Sequence, residues 1–111
     1  ATPLTLDTKF TGQLSNTSDQ DYFSIEVDGA STISVAFDSP INSSSNYFNV
    51  YIEDSSGNIL SQIETGSDHT FSAAVASAGT YYIRVNDDRY FESGSYGITA
   101  SVTHFLFFAL N

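Results

Sequence analysis

The sequence predicts an all-β chain folded as an antiparallel β-sandwich of jelly-roll type, with seven to nine short strands. Three observations carry that expectation. Apolar and polar residues alternate with a period of two along most of the 111-residue chain, as they do in strands that bury one face. Turn-forming residues interrupt the alternation at short intervals: Asp28-Gly29, Ser56-Gly57-Asn58, Ala78-Gly79 and Ser93-Gly94-Ser95. No stretch keeps a helical repeat over three turns, which an amphipathic helix would need to bury a stripe.

The elements follow in order. In YFSIEV, Phe23, Ile25 and Val27 face one way and Tyr22, Ser24 and Glu26 the other. STISVAF repeats the pattern with Ile33, Val35 and Phe37 inward. The polar stretch from Ser39 to Asn46 reads as a loop. FNVYIED then places Phe48, Val50 and Ile52 inward and Asn49, Tyr51 and Glu53 outward. DSSGN joins it to ILSQIE as a hairpin. Asp68-His69 reads as a further turn. The alanine-rich AAVASA has helical propensity, but it follows HTF and runs into Gly79, so it is assigned to a strand. TYYIRVN points Tyr81, Ile83 and Val85 in and Tyr82, Arg84 and Asn86 out; SYGITASV puts Tyr96, Ile98, Ala100 and Val102 on one face.

Length and composition bound the rest. A chain of this size builds one core, so residues 1–111 form a single domain. Hydrophobic residues make up 41% and aromatic residues 14%, enough for a packed interior. Thirteen acidic side chains against three basic ones give a net charge of −10. Nucleic-acid affinity rests on Lys and Arg displacing counterions, and anionic lipid likewise attracts basic segments. Neither nucleic acid nor membrane is therefore an expected partner. The absence of cysteine removes disulfides and zinc–thiolate sites without excluding export. The composition, rich in Ser, Thr, Asn and Asp, suits a secreted, extracellular protein. No basic segment followed by an apolar run opens the chain, so a secreted parent would be longer than this piece. Residues 103–111, THFLFFALN, form an apolar tail too short to span a bilayer. It reads as a last strand or an association surface, since a dangling apolar strand invites aggregation.

Two groups of residues are candidates for chemistry. Asp19 and Asp21 stand just before and at the start of a strand. A turn with Asp side chains capping backbone amides explains them. So does a share in a calcium site, although two carboxylates fall short of the six to eight oxygens calcium takes. Asp87 and Asp88 follow another strand and read as a solvated loop. Tyr22, Tyr51 and Tyr82, with Arg84 beside Tyr82, are outward. Tyrosines on a flat sheet suit binding to an insoluble protein or polysaccharide, because each offers area and a hydrogen-bonding hydroxyl at small entropic cost. They are also ordinary β-formers on an outer face. Catalysis is not expected: there is no Gly-x-Ser-x-Gly elbow and no paired-histidine zinc motif around the two histidines, His69 and His104.

Three segments in order, GQLSNTSDQDYFSIEV (12–27), NVYIEDSSGNIL (49–60) and AGTYYIRVNDDRYFESGSYGITASV (78–102), resemble the bacterial pre-peptidase C-terminal domain family. The shared features are a Gly-x-Leu leading to Asp-x-Asp-Tyr-Phe, a hairpin with a glycine turn, Ala-Gly-Thr-Tyr-Tyr, and a closing Ser-Gly-x-Tyr. Asn49 stands where an Asp is common, and the tail matches nothing in the family. The resemblance implies a non-catalytic β-sandwich attached to a secreted hydrolase, most often a protease, and related to collagen-binding domains. It also implies calcium, held by Asp19 and Asp21 together with an acidic segment ahead of Ala1. The expected function is to bind or orient a parent hydrolase domain in the same polypeptide on its substrate. The alternatives are a structural spacer or secretion aid without a ligand, and a self-associating adhesin-type domain.

Overall fold

The computed structural model describes residues 1–14, 19–40, 43–87 and 95–104, with the backbone alone for residues 43–47. Among these residues there are nine strands and no helix. They are β1 (Thr2–Pro3), β2 (Phe10–Gly12), β3 (Gln20–Val27), β4 (Ser31–Asp38), β5 (Ser43–Glu53), β6 (Ile59–Gly66), β7 (His69–Val75), β8 (Gly79–Asp87) and β9 (Tyr96–His104). One sheet has the order β1-β3-β8-β5-β6 and the other β2-β9-β4-β7. All pairings are antiparallel except the short parallel contact of β1 with β3. Apart from the β5–β6 hairpin, each consecutive pair of strands changes sheet, the alternation expected of a jelly-roll sandwich.

The period-two pattern decides which side chains meet between the sheets. Phe23 and Ile25 from β3, Ile83 and Val85 from β8, and Val50 and Ile52 from β5 lie opposite Ile33, Val35 and Phe37 of β4 and Ile98 and Ala100 of β9; all are buried. A one-residue slip of any strand would turn these groups to water. Aromatic rings fill one end of the core. Tyr96 stacks on Phe37 at 5.7 Å between centroids, and Phe48 tilts against Phe37 at 5.1 Å. Phe10 closes on Phe23 edge-on at 5.1 Å. Gly12 pairs with Tyr96 across β2 and β9, and a Cβ there would stand 2.5 Å from the Tyr96 hydroxyl. Only glycine leaves room for this ring.

Three expectations are corrected. Ser43–Asn46 belongs to β5, not to a loop: the pairing with β6 runs from Ser43↔Gly66 to Phe48↔Thr65 with a register shift between them, so a bulge absorbs the extra residues. His69 opens β7, where it pairs with Phe37, and only Asp68 stays in the turn. Asp87 ends β8 and is not part of a solvated loop. Asp88 and the apolar tail beyond His104 lie outside the described residues.

Candidate functional site

The outward positions of the five-stranded sheet form a lattice set by strand register. Tyr22 of β3 pairs with Arg84 of β8, which pairs with Tyr51 of β5, which pairs with Gln62 of β6. The next row runs Ser24, Tyr82, Glu53 and Ile59. Tyr22, Tyr51, Tyr82 and Arg84 therefore share one face, as their parity predicts. Tyr22 is the most open of the three tyrosines at 43% exposure; Tyr51, Tyr82 and Arg84 are half-buried.

Arg84 is not a free cation. Its Nε and Nη2 both donate to Glu53 Oε2 at 2.7 Å, and its Nη1 donates to Gln20 at 3.3 Å. The guanidinium lies 4.0 Å from the centroid of the Tyr51 ring. The two charged side chains keep only 18% and 8% of their exposure. A partly desolvated pair with two N–H groups converging on one carboxylate oxygen and an aromatic face against the guanidinium holds its geometry much better than a surface ion pair. The sequence places Glu53 outward, but only the β5–β8 register brings it to Arg84.

The β5–β6 turn forms the border of this face. Asp54 Oδ1 accepts from the amides of Ser56 and Asn58, both at 2.9 Å, and Oδ2 accepts from the Asn58 side chain at 3.0 Å. Gly57 takes a positive φ of 86°, and its amide donates to the Asp54 carbonyl at 3.0 Å. The Asn58 side chain first, and then the backbone amides, hold the Asp54 carboxyl below the usual carboxylate range. A cleft opens between this turn and the tyrosines, lined by Tyr22, Tyr82, Glu53, Asp54, Ser55 and Gly57.

The second candidate group sits at one end of the sandwich. Asp21 points inward, where the Tyr96 hydroxyl donates to its carboxylate. Burial pushes Asp21 above its ordinary range; the Tyr96 hydrogen bond opposes the shift and the Asp19 charge adds to it. Burial, followed by the Asp21 carboxylate, holds the Tyr96 phenol far above its ordinary value. The β3–β8 pairing, Gln20↔Asn86 and Asp21↔Val85, brings Asp87 to the same end. Both Asp87 carboxylate oxygens are buried without a hydrogen-bond partner. Burial raises its pKa, with a further contribution from Asp19. These carboxylates thus feel one another electrostatically, yet among the described residues no three His, Cys, Asp or Glu side chains are grouped as metal ligands. The sequence signal for Asp87 was the period of two continuing inward from Val85; for Tyr96 it was the alternation it shares with Ile98 and Ala100.

A family model, the bacterial pre-peptidase C-terminal domain, matches residues 19–87. Among solved structures, the chain is similar to the pre-peptidase C-terminal domain of collagenase from Bacillus anthracis, with 17% identity, 90% of this chain and 93% of that one covered, and a TM-score of 0.70. It is also similar to PliG of Aeromonas hydrophila, a periplasmic inhibitor of g-type lysozyme, with 13% identity, 92% and 95% coverage, and a TM-score of 0.71. At these identities the two likenesses establish a shared fold. None of the curated protein sequences compared matches the chain significantly.

Proposed function

The chain belongs to the bacterial pre-peptidase C-terminal domain family, and from that membership we propose that it is a non-catalytic accessory domain of a secreted bacterial protease. It holds or orients the parent enzyme on a macromolecular substrate through the outer face of the five-stranded sheet. The observation that carries this reading is the register that gathers Tyr22, Arg84 and Tyr51 in one row with Tyr82 in the next. The Glu53–Arg84 pair supports Tyr51 from beside and below, so the face is ordered before any ligand arrives, which lowers the entropic cost of binding.

Calcium is a second part of the proposal. The carboxylates of Asp19 and Asp21 offer the hard oxygen chemistry this ion takes. The described residues do not complete a ligand shell, so oxygens from the parent chain or water would supply the remainder. Calcium here would stiffen the end of the sandwich where Tyr96 meets Asp21.

A depletion assay tests both parts. The purified domain is mixed with insoluble collagen, chitin, cellulose or starch, with calcium and with chelator, and the unbound fraction is measured. Retention on one polymer, reduced by chelator, is the expected result. No retention on any polymer would favour a spacer without a ligand and remove the targeting role for these substrates.

A further inference from the structure

The open cleft beside the β5–β6 turn has a volume of about 480 Å³ and is lined by Tyr22, Tyr82, Glu53, Asp54, Ser55 and Gly57, with Ala1 at its edge, a volume in the range of ligand pockets. Its walls combine two phenol rings with carboxylates. Immediately next to it, the same sheet already holds a cation in such surroundings: Arg84 lies 4.0 Å from the Tyr51 ring centroid with its guanidinium on Glu53. The cleft repeats two of those three components, aromatic faces and a carboxylate, and among the described residues no Lys or Arg side chain lines it. Both side-chain cations among the described residues are engaged by other carboxylates, Lys9 by Asp38 at 2.8 Å and Arg84 by Glu53. The hydrogen bonds of Asp54 come from neutral donors, Ser56 and Asn58, so they fix its position while leaving its charge uncompensated. The net charge of −10 draws a cationic partner toward the whole domain.

We infer that this cleft binds a basic side chain, arginine or lysine, of a protein partner, with Tyr22 and Tyr82 packing along the cation and Asp54 accepting its hydrogen bond. The inference rests on the proposal that this face binds substrate, and it narrows the substrate class to a protein segment carrying positive charge. Cation–π contact and a charge-assisted hydrogen bond act on the same group, which favours the planar, multidentate guanidinium. A neutral sugar would use the rings but leave the carboxylate charge unmatched.

The test is a nuclear magnetic resonance titration of the full chain with a capped Gly/Ser peptide carrying three arginines, alongside the same peptide with citrulline at those positions. The arginine peptide is expected to shift the amides of Tyr22, Tyr82 and Asp54, and the citrulline peptide to bind at least tenfold more weakly. Asp54→Asn keeps the Oδ1 acceptor that the turn uses, and Tyr22→Ala removes an exposed ring, so both variants are expected to fold; each should weaken binding at least fivefold. Asp28→Asn removes the same charge elsewhere and should change affinity less than twofold. Equal binding of the citrulline peptide, or equal effects of Asp28→Asn and Asp54→Asn, would overturn the inference by showing that recognition is not of the cation in this cleft. Chito- or cello-oligosaccharides shifting the cleft while the arginine peptide does not would also overturn it, yet leave the face as a substrate-binding surface. Silence of the cleft to every probe, together with no retention on any polymer, would bring down both. Peptide binding without polymer retention would uphold the cleft and exclude the four polymers.

Discussion

The outer faces of the two sheets are built on the same backbone and could hardly be less alike. On the five-stranded sheet, the outward rows carry Tyr22, Arg84, Tyr51 and Gln62, then Ser24, Tyr82, Glu53 and Ile59. On the four-stranded sheet, β7, β4 and β9 present Thr70, Ala36 and Thr99, then Ser72, Ser34 and Ser101, then Ala74, Thr32 and Thr103. The inward positions of both are ordinary apolar core. Because the core places no demand on outward residues, the contrast is a matter of use. Short hydroxyls and methyls satisfy a solvated sheet, whereas large rings held by an ion pair supply area and directional contacts that a solvated sheet does not require. On the proposed function, the tyrosine face binds substrate and the other face is only solvated.

The largest effect is expected from removing the support of the tyrosine face. Arg84→Ala strands the Glu53 carboxylate, 8% exposed, and uncovers Tyr51. A loss of about 3 kcal/mol is expected by chemical denaturation, and a loss below 0.5 kcal/mol would mean that the pair is solvated and does not order the face. Next comes the end where the sheets close. Gly12→Ala drives a methyl into Tyr96 and should cost about 1–3 kcal/mol, most of it persisting in a Tyr96→Phe background because the new Cβ would also stand 2.6 Å from the ring carbon Cζ.

Asp87→Asn is expected to act through pH. The folded state raises the Asp87 pKa, so the folded protein favours the neutral acid. The penalty is absent below the unfolded value, about pH 4, and grows as pH rises through the folded one. The variant should therefore melt higher than the parent at pH 7 without calcium and lose that advantage on acidification to pH 3. A melting difference independent of pH would contradict the burial of this carboxylate. The smallest effect belongs to the other face: Ser34→Ala and Ser72→Ala should each change stability by less than about 0.5 kcal/mol and leave retention on a substrate untouched.

The alternation in YFSIEV, STISVAF, FNVYIED and TYYIRVN made the strands, the core and the common face of Tyr22, Tyr51, Tyr82 and Arg84 legible from the chain alone, since parity is a local property. What escaped was either too short or too distant. Thr2–Pro3 and Phe10–Gly12 offer too few residues to display a period. The Ser- and Asn-rich start of β5 has little β propensity and joins the sheet through its bulge with β6. The Arg84–Glu53 pair spans 31 residues and the Tyr96–Asp21 contact 75; both depend on inter-strand register, which no single strand encodes. Asp87 was misread because two adjacent aspartates resemble a loop, while the pairing of β8 with β5 sets Asp87 opposite Phe48.

The difference between the faces is the central claim, and one assay compares them directly. The Tyr22→Ala/Tyr82→Ala variant and the Ser34→Ala/Ser72→Ala variant are mixed side by side with the polymer that retains the parent domain, after matched melting curves establish that both are folded. The account predicts that the tyrosine variant remains in solution while the serine variant is retained like the parent. Equal retention of the two, or loss with the serine variant alone, would contradict it.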